Sequence, residues 1–133
     1  MKFQRIPMDE ARRHLARLVD PKMDTSGGIA GLDDIIGPGT PWALVDDAGV
    51  LLCVFVLYEC QAQYGRDLEV RAAVAVSGSA RRLTEEYLPE IERIFGRDCD
   101  LVTINTRRAG LVGKLKKAGY QEAAKIMIKR IEK

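Results

Sequence analysis

The run Val50-Leu51-Leu52-Cys53-Val54-Phe55-Val56-Leu57-Tyr58 constrains this chain more than any other. It is apolar at every consecutive position, so as a strand it carries apolar side chains on both faces. A strand of that kind needs cover on both sides, which calls for a sheet between two layers rather than an open hairpin. The run is far shorter than the ~20 residues of a membrane-spanning helix. Asp46-Asp47-Ala48-Gly49 ahead of it is turn chemistry, and the central strand is expected over Val50 to Cys60.

The rest of the chain alternates around that strand. Phe3 to Ile6 reads as a first strand, and Pro7 then favours a helix start. Met8, Ala11, Leu15, Leu18 and Val19 recur at helical spacing to about Asp20, with Pro21 closing the helix. Residues 25–41 hold five glycines and two prolines around a possible helical turn, Leu32 to Ile36. Trp42 to Val45 is a strand, and the turn Tyr64-Gly65-Arg66-Asp67 leads to another. In that strand unbroken alternation puts Leu68, Val70, Ala72, Val74 and Val76 on one face, and Glu69, Arg71, Ala73 and Ala75 on the other. A helix follows with Leu83, Tyr87, Leu88, Ile91, Ile94 and Phe95 inward, and Pro89 predicts a kink or break in it. Leu101 to Ile104 is a strand. A short helix with Leu111, Leu115 and Ala118 inward ends at Gly119, and Lys125 to Ile131 alternates as a final edge strand. The order β-α-(α)-β-β-β-α-β-α-β predicts an α/β fold, a mixed sheet with helices on both faces, in one domain over residues 1–133.

Charge and cysteine content narrow the chemistry. The 133 residues carry a formal net charge of only +2, which gives no strong pull toward nucleic acid or membrane. Arg12, Arg13 and Arg17, Arg81 and Arg82, Arg107 and Arg108, and Lys114, Lys116 and Lys117 form basic clusters. No aromatic residues interleave with them as base stacking wants, so they read as solvated faces. Nothing at the N-terminus has the apolar core of a secretory signal, so the expected location is the cytoplasm of a bacterial host or a virion. Cys53, Cys60 and Cys99 show no Cys-x-x-Cys spacing and read as reduced, partly buried thiols. His14 is the single histidine and borders the first helix's inward stripe, so no metal site is expected. Trp42 and Tyr58 read as core or boundary residues.

The junction from Val74 to Arg82 draws the functional question. Ser77-Gly78-Ser79-Ala80 takes a strand straight into a helix, and Arg81-Arg82 follow at once, so the exposed amides of the turn are suited to an anion. That junction, the element order and the ending Asn105…Leu111…Leu115…Gly119-Tyr120 resemble the GCN5-related N-acetyltransferase (GNAT) superfamily over essentially the whole chain. The resemblance implies an acetyl-CoA site at the turn, formed in that family by Arg/Gln-x-x-Gly-x-Gly/Ala. Gly78-Ser79-Ala80 matches the last three positions, while Ala75 stands where Arg or Gln belongs and the loop looks shortened. The family's proton-donating Tyr falls at Leu115, which has no proton to give. Its base, a Glu acting through water on the fourth strand, falls at Glu69, which alternatively pairs with Arg71. Asn105 matches an Asn at the end of the fifth strand, and Asp33 and Asp34 would lie on the acceptor side of the cleft.

A narrower likeness, in Ser77-Gly78-Ser79-Ala80, the basic helix and Asn105-Thr106, is to the GNAT-like internal virion and head-associated proteins of short-tailed phages. It implies a non-catalytic docking or structural module that binds other protein subunits, as a homo-oligomer or within a phage particle, with no cofactor expected. The alternative is a divergent acetyl-CoA-dependent N-acetyltransferase working through Glu69 and Asn105. A third reading is an anion-binding regulator in which Ser77, Gly78, Ser79, Ala80, Arg81 and Arg82 hold a phosphate without catalysis.

Overall fold

The computed structural model describes residues 1–18 and 24–133. One five-stranded sheet runs in the order β1-β2-β3-β4-β5: β1 (Lys2–Arg5), β2 (Thr40–Val45), β3 (Leu51–Ala62), β4 (Gly65–Ala75) and β5 (Leu101–Ile104). Neighbours are antiparallel except β4 and β5, which are parallel because a helical crossover joins them. The fold is the expected mixed α/β one, and the two-sided strand β3 lies at its centre.

Each face has its own core. On one face α1 (Met8–Leu18) and α2 (Leu32–Ile36) bury Ala11, Leu15 and Ile36 against Val54, Val56, Ala72 and Val74. The expected end of α1 at Val19, Asp20 and Pro21 lies outside the described residues. On the other face a helical run and α5 (Ala109–Lys117) cover Cys53, Phe55, Leu57, Leu68 and Val70 with Tyr87, Leu88, Ile91 and Leu115. An aromatic cluster closes one end of this second core. Phe3 packs edge-on against Phe55 and Phe95 at ring separations of 5.6 and 5.0 Å, and Trp42 leans on Phe95 with the Arg5 guanidinium over its ring.

Alternation along β4 does not hold as expected. Val56 pairs with Ala72 but Leu57 pairs with Val70, so Arg71 is an extra residue on β4, a β-bulge. Leu68 and Val70 therefore share a face with Ala73 and Ala75, while Ala72 and Val74 turn to the α1/α2 side. Leu52 on β3 plays the same part opposite Leu44 and Val45. Val76 falls outside the strand and is exposed, Tyr58 is at the exposed boundary, and the β3–β4 turn is Gln63-Tyr64, with Gly65 already paired to Ala62.

Pro89 does not break its helix. The run comprises α3 (Ala80–Arg82), one wide π-turn (Leu83–Tyr87) and α4 (Leu88–Phe95). A proline in a regular α-helix crowds the carbonyl four residues back and lacks an N–H. Here the Leu88 N–H bonds to the Leu83 carbonyl, five back, and that wider turn directly ahead of Pro89 accommodates the ring. Ile94 is exposed rather than inward. The final strand expected at Lys125 to Ile131 does not form: residues 121–133 are exposed and adopt no regular structure. The local alternation is present, but a strand also needs a partner ladder, and none pairs with it.

Candidate functional site

The site begins where two strands part company. β5 pairs with β4 only over Asp67 to Val70, and β5 ends at Ile104 while β4 continues to Ala75. Beyond Val70 the backbone groups of β4 that point away from β3 have no strand beside them. The bulge at Arg71 starts there. A cavity of about 190 Å³ opens in the gap, walled by β4, the head of the helical run and α5. Its floor is apolar, formed by Val70, Leu83, Leu88, Leu111 and Leu115, with Asn105 and Thr106 at the rim. At ~30 Å³ for each water in the liquid, this is room for about six waters.

Gly78, Ser79 and Ala80 line the same cavity from above. Val76 and Ser77 form a tight turn that Gly78 closes, its N–H donating to the Ala75 carbonyl at 2.8 Å. Gly78 has φ +77°, and a Cβ there would meet nothing within 4 Å, so glycine is required by conformation and not by crowding. Ser79 caps the helix: its Oγ accepts from the Arg82 N–H at 3.1 Å. The amides of Ala80 and Arg81 open the run and have no acceptor within it. The turn is as short as the sequence indicates, so these amides are most of what it offers an anion. The Arg81 guanidinium pairs along the helix with Glu85 at 3.0 Å, and both side chains are well exposed. Arg107, Arg108 and Lys114 join Ala80 around a shallower hollow beside the cavity mouth.

Glu69 stands on the other face of β4. Its Oε2 accepts from Arg71 Nη1 at 3.0 Å, and Arg71 also donates from Nε to the Ile35 carbonyl at 2.7 Å and from Nη2 toward the Asp34 carbonyl at 3.4 Å. Arg71 thus ties the bulge to the C-terminal end of α2, a favourable place for a cation. Glu69 does not line the cavity, whereas Arg71 and Asn105 do. Leu115 is buried in the cavity wall. Tyr120, the remaining phenol near α5, donates to Glu92 Oε1 at 3.2 Å away from the cavity. Burial, together with the Glu92 charge, pushes its pKa far up. On the acceptor side, Asp33 accepts from Arg12 Nε at 2.7 Å and Asp34 from the Gly31 N–H at 2.9 Å, so both are engaged within the loop and α1. His14 lies half-buried on α1. All three cysteines are free thiols, and burial pushes the Cys53 pKa up to about 12.

One titratable group escaped the sequence reading. Asp67 Oδ2 accepts from Thr103 Oγ1 at 3.1 Å, but Oδ1 is enclosed and has no partner. Burial raises the pKa of this carboxyl, the Thr103 bond opposes the rise, and Glu69 adds to it. The bulge at Arg71 escaped as well. It shows in the structure as Val70 and Ala73, three residues apart, facing the same core, which nothing in the run of small apolar residues announces. Among the described residues no cluster of three His, Cys, Asp or Glu side chains is arranged for a metal, and no helix is long and apolar enough to cross a membrane.

Comparison with solved structures places this geometry in a known fold. A possible acetyltransferase from Clostridium difficile 630 superposes with a TM-score of 0.60 at 11% identity, covering 98% of this chain and 97% of that one. A probable acetyltransferase gives 0.58 at 12%, covering 100% and 99%. Glucosamine-6-phosphate N-acetyltransferase from Arabidopsis thaliana gives 0.52 at 10%, covering 98% of each. The chain has the GNAT-type acetyltransferase fold. No protein-family model and no curated protein matches the sequence.

Proposed function

We propose that the chain binds an acyl-coenzyme A in the gap between β4 and β5 and passes the acyl group to an amine. The observation that carries this is the gap itself, an apolar slot beside a length of β4 whose outward backbone groups have no strand partner. An extended, amide-bearing arm fits those residues, because it supplies both apolar surface and partners for the backbone. The phosphate end fits less fully: the short turn contributes Ala80 and Arg81 amides, with Arg107, Arg108 and Lys114 beside the mouth. The cofactor would supply an acyl group already activated as a thioester. Glu69 lies across β4 from the slot and is paired with Arg71, so a proton could reach it only through water, once Arg71 yields or shares it. Leu115 provides no proton, so that part of the reaction is left to solvent.

Calorimetry with acetyl-CoA tests the reading. Micromolar affinity is expected, with loss on Gly78→Glu and on Ala73→Leu, which narrows the slot. Transfer to an amine should fall on Glu69→Ala. No heat of binding at about 1 mM ligand, where ΔG is only about −4 kcal/mol, would refute it.

A second reading is a non-catalytic module working through protein–protein contacts, in a phage particle or another assembly. The short turn, Leu115 at the acid position and the exposed apolar tail favour it. It expects no acyl-CoA binding and a specific complex with another protein chain.

A further inference from the structure

Resting on the acyl-coenzyme A reading of the slot, we propose that the hollow beside its mouth binds the 3′-phosphate of the donor. The acyl group then comes from free acyl-coenzyme A and not from the same arm borne on a carrier protein. The hollow holds about 530 Å³, within the range of roughly 300–1,000 Å³ usual for small-molecule sites. Among the described residues that line it are three cations, Arg107, Arg108 and Lys114, and no carboxylate. Ala80, Arg108 and Leu111 line both the hollow and the slot, so the two are continuous.

These charges differ from an ordinary solvated face. Arg81, Arg82, Lys116 and Lys117 are exposed, whereas Arg108 and Lys114 are half-buried at the hollow. Arg107 precedes α5 and Arg108 is its N-cap residue, where the helix dipole disfavours a cation, and the first turn of α5 has no acidic residue to offset them. A bound anion relieves that repulsion. Arg107 also lies within electrostatic reach of Asp24, but that carboxylate already accepts from the Ser26 and Gly28 N–H groups at 2.8 and 2.7 Å. The chemistry of the ligand gives the order. The amide-bearing arm fills the slot, and the diphosphate that follows it meets the amides of Ala80 and Arg81. The ribose then carries its 3′-phosphate one step further, to where the cations stand. A protein-borne arm ends at a single phosphodiester and brings nothing to the hollow.

Calorimetry on the full chain compares acetyl-CoA with acetyl-dephospho-CoA, which lacks only the 3′-phosphate. A doubly charged phosphate against part-screened cations contributes about tenfold in affinity, so acetyl-CoA should bind about tenfold more tightly. At about 1 M salt, where the screening length is ~3 Å, the two should come within about twofold. Lys114→Gln should cut the low-salt ratio to about threefold by weakening acetyl-CoA. Acetyl-phosphopantetheine, the arm as a carrier protein bears it, should bind no better than the dephospho form. Equal affinities for the two coenzymes in low salt, or acetyl-phosphopantetheine binding as tightly as acetyl-CoA, overturns the proposal and leaves the slot reading standing. So does a Lys114→Gln loss shared alike by both coenzymes. Should Lys114→Gln disturb folding, the ligand comparison on the unmodified protein decides. No binding of any of the three at about 1 mM refutes the slot reading itself, and this inference falls with it.

Discussion

Replacing Arg71 by Met keeps the stem at the bulge and removes the guanidinium that ties β4 to α2. The lost contacts are the 2.7 Å bond to the Ile35 carbonyl, the 3.0 Å pair with Glu69 and a weak 3.4 Å approach to the Asp34 carbonyl. A hydrogen bond to a charged group contributes about 1.5–3 kcal/mol when well enclosed. These side chains are 26% and 31% exposed, so solvent screening reduces the pair with Glu69 to roughly 0.5–1 kcal/mol. The bond to α2 keeps about 1.5–2 kcal/mol, because the Ile35 carbonyl closes a helix end that has no other cationic residue in its last turn. Together, Arg71→Met should cost about 2–3 kcal/mol, a fall in Tm of roughly 6–15 °C for a domain of this size. Urea denaturation of Arg71→Met, Glu69→Gln and the double variant measures both parts. The cycle should return a coupling of about 0.5–1 kcal/mol, leaving the larger share in Arg71→Met alone. A total below about 0.5 kcal/mol would refute the idea that Arg71 holds the bulge to α2.

Three further outcomes follow from the same geometry. Asp67→Asn should stabilise the fold at pH 7. The raised carboxyl pKa means the folded chain keeps this proton to higher pH than the unfolded chain, so stability falls as pH climbs through and above the ordinary value of about 3.9. Asn is neutral throughout, so the difference in urea midpoint should vanish near pH 3.5, below about that value. Cys53, with its pKa near 12, should resist a thiol reagent at about pH 8 until urea unfolds the chain, while the partly exposed Cys60 and Cys99 react first. Three equal labelling rates would contradict that burial. Gly78→Ala should cost about 1 kcal/mol through the left-handed backbone alone, because the space around a Cβ is open, and a thermal melt unchanged by it would contradict the φ assigned to that turn.

The layered sheet was legible because β3 is apolar at consecutive positions, a pattern that no one-sided hairpin can bury. The helix start at Ser79 was legible too, since small polar residues between a strand and an apolar-periodic run have few other uses. The bulge was not. Alternation from Glu69 to Val76 contains only Ala and Val after Arg71, so no polar residue marks which face each one takes, and the extra residue shows only in the pairing with Val56 and Leu57. Pro89 was legible only in part: by local rules it signals a kink or break, and the helix does change at that point, but as a π-turn over Leu83 and Tyr87, both packed on the core, that keeps the run continuous. The gap between β4 and β5 depends on where their pairing stops. Val102 and Ile104 would serve a longer ladder equally well, so no residue in either strand announces that end.

The ring cluster has a consequence for how the chain is made. Phe3 leaves the ribosome long before its ring partner Phe95, which reaches it only across the finished sheet. Until then Phe3 has only Phe55 beside it, and β1 is held by its ladder to β2 without the cover that α4 brings. β1, made before the other strands of its sheet, is then among the last to lock, and a nascent chain halted before α4 would leave that phenyl ring partly uncovered for chaperones.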